Sequence, residues 1–290
     1  MAKSKVNKRK ILYWSIGIVL TIYALSMLIP CWYLLINSFK TEMDYSGGEE
    51  LWVNGNVFGI PRKWTFENYV KASSVAAEKT APIWQLYWNS ILMTGIGTAL
   101  GVFATVCTAY ACARFQFRGK ELIVSIGVGA LVFPDFGSAA TVYRFFQKTH
   151  LWNTWGVMWP GLNPFGLMFL IVYGQFKSIS GTYAEAAKID GASELRIMVQ
   201  IMVPMIKGVI GMMVVMSAIG SWNNYYTTFM YLPSKPTIAF GMYKLNNEPE
   251  GRIMPTMCAI MVLCIIPLVV LFITMRDTII SNTAAGGLKG

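Results

Sequence analysis

Charge is what this 290-residue chain has least of: Asp, Glu, Lys and Arg make up 13% of it, against 55% hydrophobic residues, and the mean hydropathy is +0.49. A soluble domain carries about a quarter charged residues, so the deficit points to lipid as the solvent and largely excludes a soluble enzyme. Histidine occurs once, at His150, in a short loop where it reads as a surface side chain; there is no HExxH motif and no Ser/His pair within an apolar run. Asp135 is the sole carboxylate deep in such a run, where an aspartyl protease needs two. A phosphate-binding loop is missing as well, because Gly119-Lys120 has Arg114 where GxxxxGK[ST] requires glycine and is followed by Glu121. The five cysteines, Cys31, Cys107, Cys112, Cys258 and Cys264, sit inside apolar runs without zinc or redox spacing and read as small hydrophobes. Trp, Phe and Tyr reach 14% and glycine has no period, which excludes disorder and collagen-like repeats.

What is abundant is the uncharged run. A helix needs about 20 apolar residues to cross the hydrocarbon core. Ile11–Phe39, Ala81–Ala113, Leu151–Phe176, Gly208–Ser234 and Ile253–Met275 contain no charged residue, and Leu122–Tyr143 contains only Asp135. The chain therefore reads as an all-α polytopic membrane protein with six transmembrane helices. The first run is too long for a removed signal peptide and is kept as a helix. With the N-terminus inside, the inner segments hold 14 of the 24 Lys and Arg against five acids, and the outer ones hold ten against eight. The positive-inside rule then places both termini in the cytoplasm. The net charge of +10 is spent on topology, since the basic residues punctuate apolar runs instead of lining one face as nucleic-acid binding requires.

Two connections are long. Residues 40–80 lie outside and include Gly47, Gly48, Pro61 and the string Trp64-Thr65-Phe66-Glu67-Asn68-Tyr69. They read as a small cap with little regular structure, either a partner-docking surface or a solvated connector. Lys177–Lys207 lies inside and has helical grammar. Thr182 and Glu185 have capping-box spacing; Tyr183, Ala186, Ala187 and Ile189 can share a face; and Gly191 provides a left-handed stop. A second helix begins near Ser193 and runs through Leu195, Met198, Val199 and Met202 towards Pro204. Alanine at 186 and 187 leaves a shallow face that another protein could approach closely; an ordinary interfacial connector is the other reading.

The residues of this loop resemble a known signature. Glu185-Ala186-Ala187, then Gly191, then nine residues and Ile201-Met202-Val203-Pro204, is similar to the EAA motif of ABC importer permeases, with valine at 203 where leucine is usual. The resemblance extends through Ser38-Phe39-Lys40, Asn89-Ser90, Ala109-Tyr110-Ala111, Arg114-Phe115, Ile189-Asp190-Gly191-Ala192-Ser193, Gly220-Ser221-Trp222-Asn223 and the closing Thr283–Gly290. Over essentially its full length the chain resembles the second permease subunit of maltose-type carbohydrate ABC importers.

That resemblance implies a type I ABC importer permease fold, in three parts. Residues 1–84 would be the cytoplasmic N-terminus, first helix and extracytoplasmic loop; 85–276 the permease core with its EAA loop at 177–207; and 277–290 a cytoplasmic tail, whose small, glycine-rich stretch after Thr283 reads by composition as disordered. It also implies a second homologous permease, two ATPase subunits and an extracytoplasmic solute-binding protein, with a sugar or oligosaccharide as substrate. This chain would bind no cofactor, and ATP and Mg would sit on the partner ATPases. Glu185, Ala186, Ala187, Asp190, Gly191 and Pro204 would couple it to them. The chain would be a transport subunit of the bacterial plasma membrane, forming half of the translocation path.

For the solute route the residues offer candidates. A carboxylate at Asp135 is costly in lipid, so it should face water, a partner helix or the solute. Trp222, Asn223, Asn224 and Tyr225 combine aromatic faces with amides, which suits sugars and equally suits an aromatic belt at the outer interface. Glycines at 95, 97 and 101 allow close helix packing. An ion- or proton-coupled secondary transporter or channel is the competing class. It lacks support from an internal repeat between the halves of the chain.

Overall fold

Uncharged runs become long helices where nothing interrupts the backbone ladder, and break where proline, glycine or a capping amide intervenes. A computed structural model describes residues 2–48, 53–129, 137–247 and 253–286. In chain order the elements are α1 (Ala2–Ser38), α2 (Glu42–Ser46), the strands β1 (Gly47–Gly48) and β2 (Val53–Asn54), α3 (Glu67–Lys79), α4 (Ile83–Arg114), α5 (Lys120–Gly129) and α6 (Ser138–Lys148). A 3₁₀ segment over Trp155–Leu162 precedes α7 (Leu167–Ser178), α8 (Thr182–Ile189) and α9 (Glu194–Ile197). A π turn over Met198–Met202 leads into α10 (Val203–Met205), α11 (Lys207–Trp222), α12 (Tyr226–Tyr231), α13 (Ile238–Asn247) and α14 (Met254–Gly286).

Three of the six expected spans are single helices. Leu12–Ser38, Ile83–Arg114 and Met254–Arg276 are each long and apolar enough to cross a membrane. The other three are divided. Between the 3₁₀ segment and α7 stand Pro164, which has no amide to return, and Gly166, whose backbone is extended (φ 169°, ψ 179°), and α7 has 12 residues. That is about 18 Å of rise, short of the hydrocarbon thickness. The run Gly208–Ser234 breaks after Trp222, and Leu122–Tyr143 is interrupted at Gly137, whose left-handed backbone (φ 79°) starts α6; residues 130–136 lie outside the described set. Irregular backbone at membrane depth is tolerated where protein or a water-filled cavity surrounds it. One further pair, Glu194–Met205 with Lys207–Trp222, is bent by 81° at its joint. The tail differs from expectation in one respect: α14 continues through Thr283 to Gly286, so part of the segment assumed unstructured is helical.

The chain divides into two compact units. The first comprises Met1–Lys79 and Leu245–Ile266. Here the segment after α1 is more regular than its composition suggested, with an antiparallel pair joining Gly47 to Asn54 and Gly48 to Val53, and a 13-residue helix in α3. Two strings noted in the sequence meet in it. The Phe39 ring packs against Trp64, Phe66 and Tyr69 at centroid distances of 5.5, 5.2 and 5.5 Å. Buried Asn68 donates through Nδ2 to the carbonyls of Ser38 (2.8 Å) and Lys40 (2.6 Å), satisfying acceptors left open at the end of α1. Lys40 itself is fully buried and donates to the Asn56 carbonyl.

The second unit comprises Thr80–Lys244 and Pro267–Gly290. Its inner core joins Val106, Ala109 and Tyr110 of α4, Phe169, Val172 and Phe176 of α7 and Met213 of α11 to Ala187, Ile197 and Met202 of the loop region. A second cluster joins Met93, Phe146, Val157, Met158, Tyr231 and Leu232. Gly127 shows why α5 needs its glycine, since a Cβ there would lie 2.2 Å from the Phe165 ring.

Candidate functional site

The inner loop is a short helix, a tight turn and a second helix, as its grammar predicted, but its first cap is different. Gly181, not Thr182, occupies the cap position of α8, with no side-chain cap bond, and its carbonyl accepts the amides of Ala184 (2.9 Å) and Glu185 (3.0 Å). Thr182 is held one step upstream, where its hydroxyl pairs with that of Ser180 at 2.8 Å. The expected capping box therefore does not form, and Glu185 is left exposed in the first turn.

The stop is the one expected. Gly191 has φ +79°, and the amides of Gly191 and Ala192 bond back to Lys188 (3.0 Å) and Ala187 (2.9 Å). This is the Schellman pattern, which satisfies carbonyls at the end of α8. Asp190 is the residue at which α8 ends. Ser193 then caps α9, its hydroxyl accepting from the Arg196 amide at 3.4 Å. Across the turn Lys188 pairs with Glu194, a hydrogen bond and an attraction that raise the lysine pKa.

The four residues expected on one face of α8 divide. Ala187 is buried in the inner core, with Ala184 and Ala192 packed beside it. Tyr183, Glu185 and Ala186 point outward, and Ile189 is 87% exposed. The helix thus has a fixed alanine underside and an outer surface that includes Glu185, Ala186, Lys188 and the large side chains of Tyr183 and Ile189. Leu195 and Val199 continue the exposed apolar surface towards the joint.

That joint falls at Ile206 (φ −110°, ψ 17°), two residues after Pro204. Proline has no amide to return and its ring crowds the preceding turn, so the regular ladder cannot pass through it. The chain widens instead into the π turn, where the Val203 amide bonds back to Met198. Fully buried Met202 anchors this turn in the inner core, and the direction changes by 81° before α11. Arg114, at the end of α4, reaches the same place: Nη2 donates to the Ile179 carbonyl at 2.9 Å and lies 3.7 Å from the Met202 sulfur.

At the other end of α11 the solute-route candidates separate. Trp222 is 6% exposed, lies 6.3 Å from the Tyr87 ring, and lines an apolar cavity of about 780 Å³ with residues of α4, α11 and α14. The hydroxyls of Thr94 and Thr98, on the α4 wall of that cavity, are buried and have no partner. Asn223 ends α11 and donates from Nδ2 to the Ile219 carbonyl at 3.0 Å. Asn224 accepts the Thr227 amide at 3.0 Å, and it lines a second cavity of about 360 Å³ with Ser217, Ser221, Thr227, Phe146 and Tyr231. Tyr225 stacks on Tyr243, centroids 4.3 Å apart. Asp135 lies outside the described residues.

The structure also gives work to residues that motif reading only matched. Asn89 donates to the Pro236 carbonyl at 2.9 Å, and Ser90 accepts the Ile238 amide at 2.8 Å, so this pair pins the segment before α13 to α4. Opposite charges at 188 and 194 around a glycine were a signal for the ion pair; nothing in periodicity signals the reach of Arg114.

Comparison with known proteins agrees with this architecture. Residues 7–282 match the family described as binding-protein-dependent transport system inner membrane component. A diacetylchitobiose uptake system permease protein of Streptomyces coelicolor is 30% identical over 71% of this chain and 65% of its own length. A galactooligosaccharides transport system permease protein of Bacillus subtilis is 28% identical over 80% and 82%. Among solved structures, a chain of a bacterial ABC transporter involved in import of the acidic polysaccharide alginate superposes with a TM-score of 0.75 at 22% identity, covering 92% of this chain and 96% of that one.

Proposed function

Because the chain belongs to the family of binding-protein-dependent transport system inner membrane components, a multi-pass permease of an ABC importer, we propose that it forms half of a sugar or oligosaccharide path and is driven through α8. In this reading a second, homologous permease supplies the other half. Two ATPase subunits hold ATP and Mg on the cytoplasmic side, and a solute-binding protein delivers the sugar from outside. The transport direction follows from the family; the solute class is supported by the chitobiose and galactooligosaccharide permeases among its relatives.

The observation that carries the coupling role is the two-sided character of α8. Its underside is locked into the core by Ala187, while Glu185, Ala186 and Ile189 stand exposed beside one another. A surface of that kind, small at its centre and apolar at its edge, fits a cleft on another protein. Its rigid backing lets a push be transmitted instead of absorbed. Asp190 and Gly191 end the handle, and in this reading Pro204 belongs to the arm, Glu194–Met205, that leads from it to the bend before α11. Only a difference in ATPase contact between two packings can drive the switch between them.

For the solute, the second cavity is the better-suited wall. Asn224, Ser217, Ser221 and Thr227 offer an amide and hydroxyls, and Phe146 and Tyr231 offer flat rings. Sugars need both kinds of surface. Trp222 lines the apolar cavity instead, Asn223 ends α11, and Tyr225 stacks on Tyr243, so in this reading these three are neighbours of the sugar wall and not part of it.

The experiment is crosslinking from Ala186→Cys in membranes containing the whole transporter. Capture of an ATP-hydrolysing subunit, together with uptake that stops when ATP is removed, is the expected result. Uptake that survives without ATP, or a cysteine labelled only from the outer side of the membrane, would overturn the proposal.

A further inference from the structure

Arg114 gathers three elements on one guanidinium. It ends α4; Nη2 donates to Ile179, in the connection between α7 and α8, and contacts the sulfur of Met202, the last residue of the π turn. Tyr110, one turn earlier on α4, packs edge-on against Phe115 at 5.9 Å and Phe176 at 5.4 Å, which fixes the base from which the arginine reaches out. Both acceptors are neutral, and no carboxylate among the described residues pairs with Arg114. Its Nε is buried and has no partner.

We propose that Arg114 is the positioning residue that passes displacement of the inner loop to α4. This rests on the reading of α8 as the coupling handle. The guanidinium holds the α7–α8 connection and the π turn against the end of α4 in one packing, and exchanges acceptors in the other. The chemistry of those acceptors suits exchange. A partly buried arginine held by a carboxylate is expensive to separate, because an ion is stranded when the pair opens. A carbonyl and a thioether can be traded without that cost. The orphan Nε points the same way: buried donors are almost always matched, so an unmatched one beside a bent joint is a donor that a second arrangement can use. Arginine is required because Nη2 serves both present acceptors while Nε, fixed in the same plane, stays unengaged for a second arrangement, whereas a lysine ammonium carries its donors on one nitrogen.

The test uses the complete transporter in proteoliposomes, with the second permease, ATPases and solute-binding protein present. The readout is N-ethylmaleimide labelling of Cys107, on α4, quantified by mass spectrometry with and without Mg-ATP and vanadate; ATP hydrolysis is measured in parallel. In the natural chain the nucleotide state should change the Cys107 labelling rate by about tenfold, the signature of a two-state shift. In Arg114→Met the change should disappear while hydrolysis persists. Arg114→Lys should behave like the methionine variant, and it decides the matter if the methionine variant fails to assemble. A full nucleotide response in Arg114→Lys, or no response of Cys107 in the natural chain, would overturn the inference. Crosslinking from Ala186→Cys separates the two levels. Capture of the ATPase with an unaltered Cys107 response in both Arg114 variants rejects the arginine alone, and failure of capture rejects the handle itself.

Discussion

The Lys188 ammonium, at the end of α8, is paired with the Glu194 carboxylate at the start of α9, so the Gly191 turn is closed by an ion pair as well as by its backbone. The glutamate raises the lysine pKa. A base whose folded pKa is raised contributes fully below its ordinary range near 10.4 and loses that contribution only as pH rises through the raised value. Around neutral pH the pair is therefore complete, and alkaline conditions open it from the lysine side. The side chains are 55% and 43% exposed, so salt screens the attraction. Lys188→Glu should lower uptake modestly, with a smaller deficit at high salt, and adding Glu194→Lys should restore it. A double variant no better than the single one would show that the pair does not set the hairpin.

Gly191 is constrained by conformation, not by space. Its φ is +79°, yet an added Cβ would meet nothing within 4 Å. The cost of a side chain is then the left-handed backbone alone, about 1–2 kcal/mol for most residues and less for asparagine. Uptake should fall in the order Gly, Asn, Val at position 191, at equal amounts of membrane-inserted protein. Equal activity of Asn and Val variants would contradict this.

Glu185 makes no cap bond, so its removal should leave α8 intact. Glu185→Ala should therefore reduce uptake by about tenfold or more, as loss of a contact worth at least 1.4 kcal/mol would, without reducing insertion or the protease resistance of the loop. Lowered insertion in step with uptake would reassign Glu185 to structure.

Lys40 offers a pH signature outside the membrane. Burial pushes its pKa below the usual lysine value, against the opposing attraction of Asp44. The unfolded segment then binds more protons than the folded one, so stability rises with pH between the lowered value and about 10.4. Amide exchange of Phe39–Arg62, corrected for its intrinsic pH dependence, should slow over that window, and the slope should vanish in Lys40→Met. A flat profile in the natural chain would refute the buried cation.

Much of this was written in local pattern. Continuous apolar runs gave α1, α4 and α14, and the Gly191 stop and Ser193 start followed from residue chemistry. The capping register was missed by one residue because Ser180 and Gly181 compete for the bonds that Thr182 was expected to make. The burial of Ala187 beneath an exposed Ile189 was not legible either, since it depends on which side of α8 meets the inner core. The divided spans break at Gly137, at Pro164 and Gly166, and after Trp222, interruptions that a hydropathy count cannot see. Arg114 meets partners 65 and 88 positions away. No periodicity encodes such a reach.

The 81° elbow at Ile206 has a mechanical corollary. An arm such as Glu194–Met205, set nearly square to a rod, acts as a bell crank, turning thrust on one arm into sideways swing of the other. α11, with 16 residues, is about 24 Å long, so a rotation of about 10° at the elbow carries its far tip about 4 Å. Trp222 and the neighbouring amides ride on that tip, so a small displacement of the short arm reaches them enlarged.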